Sequence, residues 1–277
     1  MTKLELKTGY RGMFHVNDPL LADIEAMHRR YRSGDRLVIM LHAPGGDLLT
    51  RAGFAAIRRA TEGLSALPET RRVTSLSTQR RLARTAIGPI LVDLLPKSSP
   101  RTADGLEKLR RAVLEMPGAP GHLVTTTGSG ALIHAEISPP PRDQTALAAL
   151  MGKVRGLKLA IETSNPDLTV ALGGLVVLNS AFVEAAERDM RSLFPAMAGL
   201  LCLGLWIFTR SWRGVLGPLV VVVAAILAAL GSAGWLGLPI TPILSIAPTI
   251  ILGIGIADSL HVLVANDRAR MAGRSAG

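Results

Sequence analysis

The last third of the chain contains uncharged apolar runs that are too long for a water-soluble protein. Residues 192–209 carry no charged side chain, Arg210 and Arg213 follow, and residues 214–257 again carry none. A soluble fold has no surface on which to place such runs, whereas about 20 apolar residues in a helix cross about 30 Å of hydrocarbon. We therefore predict an integral membrane protein.

The distribution of positive charge predicts how the chain crosses the membrane. The transmembrane region is expected over residues 191–277, with an α-helical bundle of three spans at about 193–208, 215–236 and 243–265. Arginines lie between the first two spans and after the third, whereas the loop 237–241 has no charge. By the positive-inside rule, the first loop and the C-terminus are cytoplasmic and the N-terminal domain is extracytoplasmic. The positive residues are Arg210, Arg213, Arg268, Arg270 and Arg274.

Residues 1–190 are rich in charge and predict a separate α+β domain. The first half has the order strand, helix, strand, and the second half has two strands, a helix and a strand. This order predicts two small ferredoxin-like β-α-β units, not a Rossmann sheet. Prolines leave residues 78–102 open between broken helix and loop. The predicted strands are 36–43, 72–77, 122–127, 130–138 and 168–172, and the helices are 20–31, 50–67, 105–115, 147–161 and 176–190.

Composition argues against several functional classes. The net charge of +10 invites a nucleic-acid interpretation, but no run of Lys and Arg exceeds two residues and aromatic residues are only 4%. The single cysteine, Cys202, excludes an internal disulfide. We see no metal-ligand spacing and no nucleophile constellation, so we expect no metal, no cofactor, no enzyme activity and no nucleic-acid partner. The segment 1–14 has no hydrophobic core of the kind found in signal peptides.

One acidic residue interrupts the third predicted span. Asp258 lies nine residues before Asp267, or about 14 Å along a helix, which places it near the middle of the bilayer. An acid there costs on the order of 2.5–3.5 kcal/mol on insertion scales, and such residues are rare and commonly functional. A carboxyl group in this position can bind and release a proton. The alternative is a structural polar contact between helices, or an acid that faces a water-filled gap.

The residues around Asp258 fit a proton relay. His261 follows three residues later, so it shares a helical face with Asp258. Ser259 and His261 are candidates to hydrogen-bond Asp258 or to share its proton. Gly253 and Gly255 have small surfaces that allow another helix to approach closely. We predict a relay of Asp258 and His261, with Gly253, Gly255 and Ser259 packing beside it.

The whole pattern resembles the resistance-nodulation-division (RND) superfamily, in particular its predicted-exporter and MMPL-type branch, which includes hopanoid transporters. The segment FHVNDPLLADIEAMHRRY is similar to the family's segment after its first transmembrane helix. The run from GDRLVIMLHAPGGDLLT to VTSLS is similar to the first porter β-α-β. The stretch from FTRSWRGVLGPLVVVV to GWLGLPITPI resembles helices two and three, and GIGIADSLHVLVA resembles helix four.

The resemblance implies a proton-driven exporter of lipids or other hydrophobic molecules in the cell inner membrane. Asp258 takes the place of a relay acid, and the preceding position, acidic in some branches, is Ala257. This favours one acid with His261 beside it over a two-acid relay. Members usually have twelve transmembrane helices in two halves, so the chain matches part of a first half. We expect a truncated gene, a mis-assigned start or a split transporter, with a second half or further subunits as partners.

Two other functions remain open from the sequence. The same helices suit a non-transporting lipid binder of the sterol-sensing-domain type, or an assembly factor. A non-functional gene remnant is the third possibility. The exporter and the lipid binder both have the lipid bilayer as a partner, and both have a lipid or other hydrophobic molecule as a ligand.

Overall fold

The structure is a computed structural model that describes residues 18–31, 35–85, 88–96, 100, 102–138, 144–236 and 246–271. These residues form two compact units, one within Asn17–Ser180 and one from Ala181 onward. The coarse prediction of an α+β region followed by three apolar helices is confirmed. The segment 1–14, the predicted loop 237–241 and Arg274 lie outside the described residues.

The first unit contains both helices and strands along its whole length. Its last helix, α5, extends into the second unit. A 3-10 turn at Leu76–Thr78 follows the second strand. The elements are α1 (Pro19–Tyr31), β1 (Asp35–His42), α2 (Arg51–Ser65), β2 (Thr70–Thr74), β3 (Arg80–Thr85), β4 (Gly88–Asp93), α3 (Ala103–Leu114), β5 (Gly130–Ile137), α4 (Gln144–Ser164), β6 (Thr169–Gly173) and α5 (Leu175–Arg188).

Four strands form one antiparallel sheet in the order β2-β5-β1-β6. The strands of the two predicted β-α-β units therefore alternate within a single sheet, and two separate ferredoxin-like units are not confirmed. The central pair is β1 and β5, in which Ile39 lies opposite Ile133. Each of these strands alternates buried and less buried residues, and one sheet can serve both halves because their apolar faces point to the same side.

Helices α2 and α4 cover the apolar side of this sheet. Leu37, Ile39 and Ile133 have no exposed surface, and neither has Phe54 of α2. The backbone N–H of Gly53 donates to the Thr50 side chain at 3.1 Å, so Thr50 caps the start of α2, where the sequence pattern places the beginning of a helix. Gly53 itself packs against the backbone oxygen of Leu48, where a Cβ atom has no room.

Two local predictions differ from the structure. The ambiguous stretch contains a two-stranded hairpin, β3–β4, in which Pro89 occupies a strand whose other edge is unpaired among the described strands. The predicted strand 122–127 is a turn region with isolated bridges at Val124. Its first residues bond locally, since the N–H groups of Leu123 and Val124 both donate to the carbonyl of Ala119, whereas Leu123 and Thr125 also exchange backbone bonds with β5. The region therefore meets β5 only at an isolated bridge, because its first N–H groups are already satisfied within the turn.

The second unit consists of long apolar helices. After α5, a π-helical turn at Asp189–Leu193 leads into α6 (Phe194–Thr209), so one helical stretch runs over Leu175–Thr209. The others are α7 (Trp212–Trp235) and α8 (Ala247–Met271). Within the described residues, three stretches are long and apolar enough to cross a membrane: Leu175–Thr209, Trp212–Trp235 and Ala247–Ala265.

An ion pair in the first unit predicts a small pH dependence of stability. The pKa of Glu69 is lowered by a hydrogen bond from its own backbone N–H and by Lys153, whose Nζ lies 3.1 Å from its carboxylate. This contribution is present above the ordinary pKa of a glutamate and is lost as pH falls through the lowered value. We expect Lys153→Met to destabilise the unit by about 0.2–1 kcal/mol at neutral pH.

The difference between wild type and Lys153→Met is expected to disappear in acid. Hydrogen–deuterium exchange of the β5 amides in the purified chain, followed from neutral to acidic pH, measures it. In a Glu69→Gln background the same lysine change has no carboxylate to act on. If the effect of Lys153→Met on stability still depended on pH in the Glu69→Gln background, a group other than Glu69 would be responsible.

Candidate functional site in the membrane helices

The three membrane helices pack around a narrow apolar seam. α8 lies against both α7 and α6, and the seam contains Leu205 from α6, Val222 from α7, and Leu252 and Ile256 from α8. Each of these side chains is almost fully buried. Because Leu252 and Ile256 are four residues apart, they define one face of α8 as the inner face of the bundle.

Gly255 is the point at which α8 approaches α7 most tightly among the glycines of α8. A Cβ atom at this position would lie 2.7 Å from Cγ2 of Val222, closer than atoms pack. Gly253, two residues earlier, has no atom within 4 Å of the corresponding position. The structure thus places only one of the two predicted packing glycines in contact with a neighbouring helix of this chain.

Asp258 and His261 lie on the opposite side of α8 from the seam. At about 100° per residue, Asp258 is rotated about 200° from Ile256 around the helix axis. Both side chains are exposed, and their spacing of three residues puts them on a common face. The other helices that the structure describes therefore leave the predicted relay pair uncovered.

The hydrogen bonds near Asp258 differ from the predicted arrangement. The Ser259 hydroxyl donates to the backbone carbonyl of Gly255 at 2.7 Å, a bond within the helix. Among the described residues, Asp258 and His261 make no hydrogen bond or ion pair, with each other or with a third residue. The structure brings Asp258 and His261 to one face but does not join them.

Arginines mark one end of the bundle. The turn between α6 and α7 contains Arg210 in a left-handed conformation, with φ of 46°. Gly214 closes this turn, because a Cβ atom there would lie 2.5 Å from the Thr209 side chain. On α8, Arg268 is exposed and follows Asp258 by ten residues, or about 15 Å. That distance is about half the thickness of the hydrocarbon.

The chemistry available at this site is proton exchange or polar contact. A carboxyl and an imidazole on one helical face can both bind a proton. Within the described part of the chain, no group of three or more His, Cys, Asp or Glu side chains is arranged to hold a metal ion. The sequence singles out Asp258 and His261, but it does not show that both lie on the side of α8 that faces away from the other two helices.

Comparison with known proteins bears on this part of the chain. No curated protein matches the chain significantly. Residues 192–275 match the family model described as Patched SSD, where SSD denotes a sterol-sensing domain. The match covers α6, α7 and α8 and leaves the α+β unit unmatched. It supports a relationship of the membrane helices to Patched/RND-like sterol-sensing domains, and does not extend to the MMPL-type or hopanoid-transporter branch.

Proposed function

We propose that the chain is part of a proton-driven RND-type exporter of lipids or other hydrophobic molecules. The membrane helices would handle the hydrophobic substrate, and Asp258 would bind and release the coupling proton, with no enzymatic step. The observation that carries this proposal is the position of Asp258, exposed on α8 opposite the apolar seam and without a partner among the described residues. The Patched SSD match supports the lipid or sterol side of the proposal.

An exposed acid such as Asp258 is energetically unfavourable where it faces hydrocarbon. On a helix surrounded by hydrocarbon, Asp258 would cost on the order of 2.5–3.5 kcal/mol. The cost falls if water or a polar partner reaches the acid, and His261 lies on the same face to receive or donate a proton. We infer that a second half or further subunits cover this face of α8. A proton can then reach Asp258 only through the site formed with them.

Topology follows from the arginines at one end of the bundle. With Arg210, Arg213 and Arg268 at the cytoplasmic side, the C-terminus is cytoplasmic and the α+β unit is extracytoplasmic. In this orientation the unit would accept substrate from the outer leaflet of the cell inner membrane, or release it there.

The alternative is a sterol-sensing or lipid-binding protein that does not transport. The Patched SSD match favours this function at least as well as export, because it concerns the same helices. In that case the exposed face of α8 binds a lipid or a membrane partner, and Asp258 supplies a polar contact to it. The two functions predict different results when the carboxyl charge of Asp258 is removed: an exporter would lose lipid export, whereas a lipid binder has no export to lose.

The test is Asp258→Asn in the chromosomal gene, with all neighbouring genes intact. We expect surface and extracellular lipids, measured by mass spectrometry, to fall to the level of a deletion strain, while the protein still inserts into the membrane. Asp258→Glu keeps an ionisable acid and is expected to retain part of the export. A protonophore should reproduce the loss in wild type.

Unchanged lipid export in Asp258→Asn would remove this carboxyl group from the mechanism. If neither deletion nor the variant changes export, but a photoactivatable sterol probe labels α6–α8 of the wild-type protein, the non-transporting alternative is supported. Failure of Asp258→Asn to insert would show that insertion needs the carboxyl group. The Asp258→Glu strain then decides the matter: partial export with normal insertion supports the proposal, and full export that a protonophore does not reduce contradicts it.

A further inference from the structure

The side of the four-stranded sheet opposite α2 and α4 carries a groove. It has a volume of about 660 Å³, within the range of about 300–1,000 Å³ that is typical of ligand sites. Its floor is the less buried face of β1, β2 and β5, and a wall is the turn region 116–123. From the sequence, His134 and Glu136 on this face are interpreted as a solvated strand surface. Principal lining residues are Arg36, Arg72, Leu123, Leu132, His134 and Glu136.

Three charged residues form a row across the floor of this groove. Arg36 of β1 and Arg72 of β2 both lie opposite Glu136 of β5, one on each side. Residues directly opposite in a sheet share a face, so the three side chains leave the same surface. Two strand spacings separate the arginines, which places their Cα atoms about 10 Å apart. Two guanidinium groups at this distance can converge on one anion.

The carboxylate in the row already has a cation beside it. The register of β2 against β5 shifts between Thr70 and Arg72, so Arg71 is an extra residue in the strand. This bulge brings a guanidinium nitrogen of Arg71 to 3.7 Å from Oε1 of Glu136. Arg36 and Arg72 are exposed and make no hydrogen bond or ion pair with another described residue. Two guanidinium charges therefore remain available in the groove.

The other side of the groove is apolar. Met116, Leu123 and Leu132 line it, and the imidazole Nε2 of His134 lies 3.3 Å from the carbonyl oxygen of His122, so this ring bridges the strand and the wall. No acidic side chain other than Glu136 lines the groove within the described ranges. A concave surface with an apolar wall and two guanidinium groups that have no partner in the described part of the chain matches a ligand with an oxyanion and a short apolar chain.

We propose that this groove binds the anionic head group of an amphiphile, a carboxylate or a phosphate monoester attached to an apolar chain. Arg36 and Arg72 hold the oxyanion, and Met116, Leu123 and Leu132 contact the first carbons of the chain. The site lies wholly within the α+β unit and does not depend on proton exchange at Asp258. Binding to the groove and export can therefore fail independently.

The experiment uses the full chain in nanodiscs of phosphatidylcholine, with empty nanodiscs as the blank. Octyl phosphate is titrated by calorimetry, and octanol and inorganic phosphate serve as its neutral and chain-free counterparts. Arg36→Gln and Arg72→Gln are each expected to raise the Kd for octyl phosphate by about 10- to 100-fold, the effect of losing a charge-assisted hydrogen bond. Glu136→Gln is expected to lower the Kd, because it removes a like charge from the groove.

The matched control is Arg59→Gln, on the exposed surface of α2 and outside the groove, which should leave the Kd unchanged. Hydrogen exchange of the β1 amides checks that each variant is folded. The proposal is overturned if wild type does not bind octyl phosphate, or if octanol binds equally well. Equal affinity for inorganic phosphate would show a free-anion site with no role for the apolar wall. If Glu136→Gln also weakened the binding of octyl phosphate, as the two arginine variants do, the three residues would act only by stabilising the fold, and the proposal would be contradicted.

Discussion

Replacement of Phe54 by alanine is expected to destabilise the α+β unit by about 3–5 kcal/mol. The Phe54 side chain has no exposed surface and lies on α2, which packs on the apolar side of the sheet and on α4. The loss combines the transfer free energy of the ring with the cavity that it leaves. In hydrogen–deuterium exchange of the purified chain, protection of the β1 and β5 amides should fall roughly a hundred-fold to several-thousand-fold.

The control for this prediction is Leu159→Ala on α4. Leu159 has 65% of its surface exposed, so its truncation is expected to change stability by no more than about 0.5 kcal/mol. A loss of protection below tenfold in Phe54→Ala would mean that α2 is not part of the cooperative core of this sheet. Equal losses in the two variants would contradict the assignment of the buried side.

The membrane helices and the main strands could be predicted because their signals are local. Uncharged runs fix the existence of α6, α7 and α8, and alternation fixes which side of β5 is buried, with Ala131, Ile133, Ala135 and Ile137 inside. These patterns depend only on neighbouring residues and on the solvent. The helix cap at Thr50 is also a local signal, because the Gly53 N–H that it binds is only three residues away.

The sheet order could not be predicted, because it depends on contacts between distant segments. β1 pairs with β5, almost a hundred residues later, and no short pattern records that Arg36 faces Glu136. The hairpin β3–β4 was hidden by Pro89, which argues against a strand unless that strand is at an edge. The turn at 121–124 contains residues that favour strands, but its N–H groups at Leu123 and Val124 bond to the carbonyl of Ala119 within the turn.

The candidate site was predictable in its members but not in its geometry. An acid in an apolar run is visible in the sequence, and spacing alone puts His261 on its face. Which face of α8 turns inward depends on the packing of Leu252 and Ile256 against α6 and α7. The groove with Arg36 and Arg72 was missed for a similar reason, since its arginines come from strands separated by another strand.

Gly255→Leu is expected to separate α8 from α7 and to destabilise the three-helix bundle by about 1–3 kcal/mol. The first added carbon would lie 2.7 Å from Val222 Cγ2, and valine has little rotamer freedom in a helix with which to move away. The backbones must therefore move apart, which opens the seam that buries Leu252 and Ile256. The measurement is the midpoint temperature of the detergent-solubilised chain, followed as the folded fraction in size exclusion after heating.

Gly253→Leu is the matched control, because it makes the same change on the same helix at a position with no atom within 4 Å. It should leave the midpoint nearly unchanged. Val222→Ala removes the methyl group that the new side chain meets, so it should recover stability in the Gly255→Leu protein although it costs stability in wild type. The effect of Val222→Ala on stability would then have opposite signs in the two backgrounds, which is the coupling expected of two residues in contact. Additive effects of the two substitutions, or an equal loss in Gly253→Leu, would contradict the close approach of α7 and α8 at Gly255.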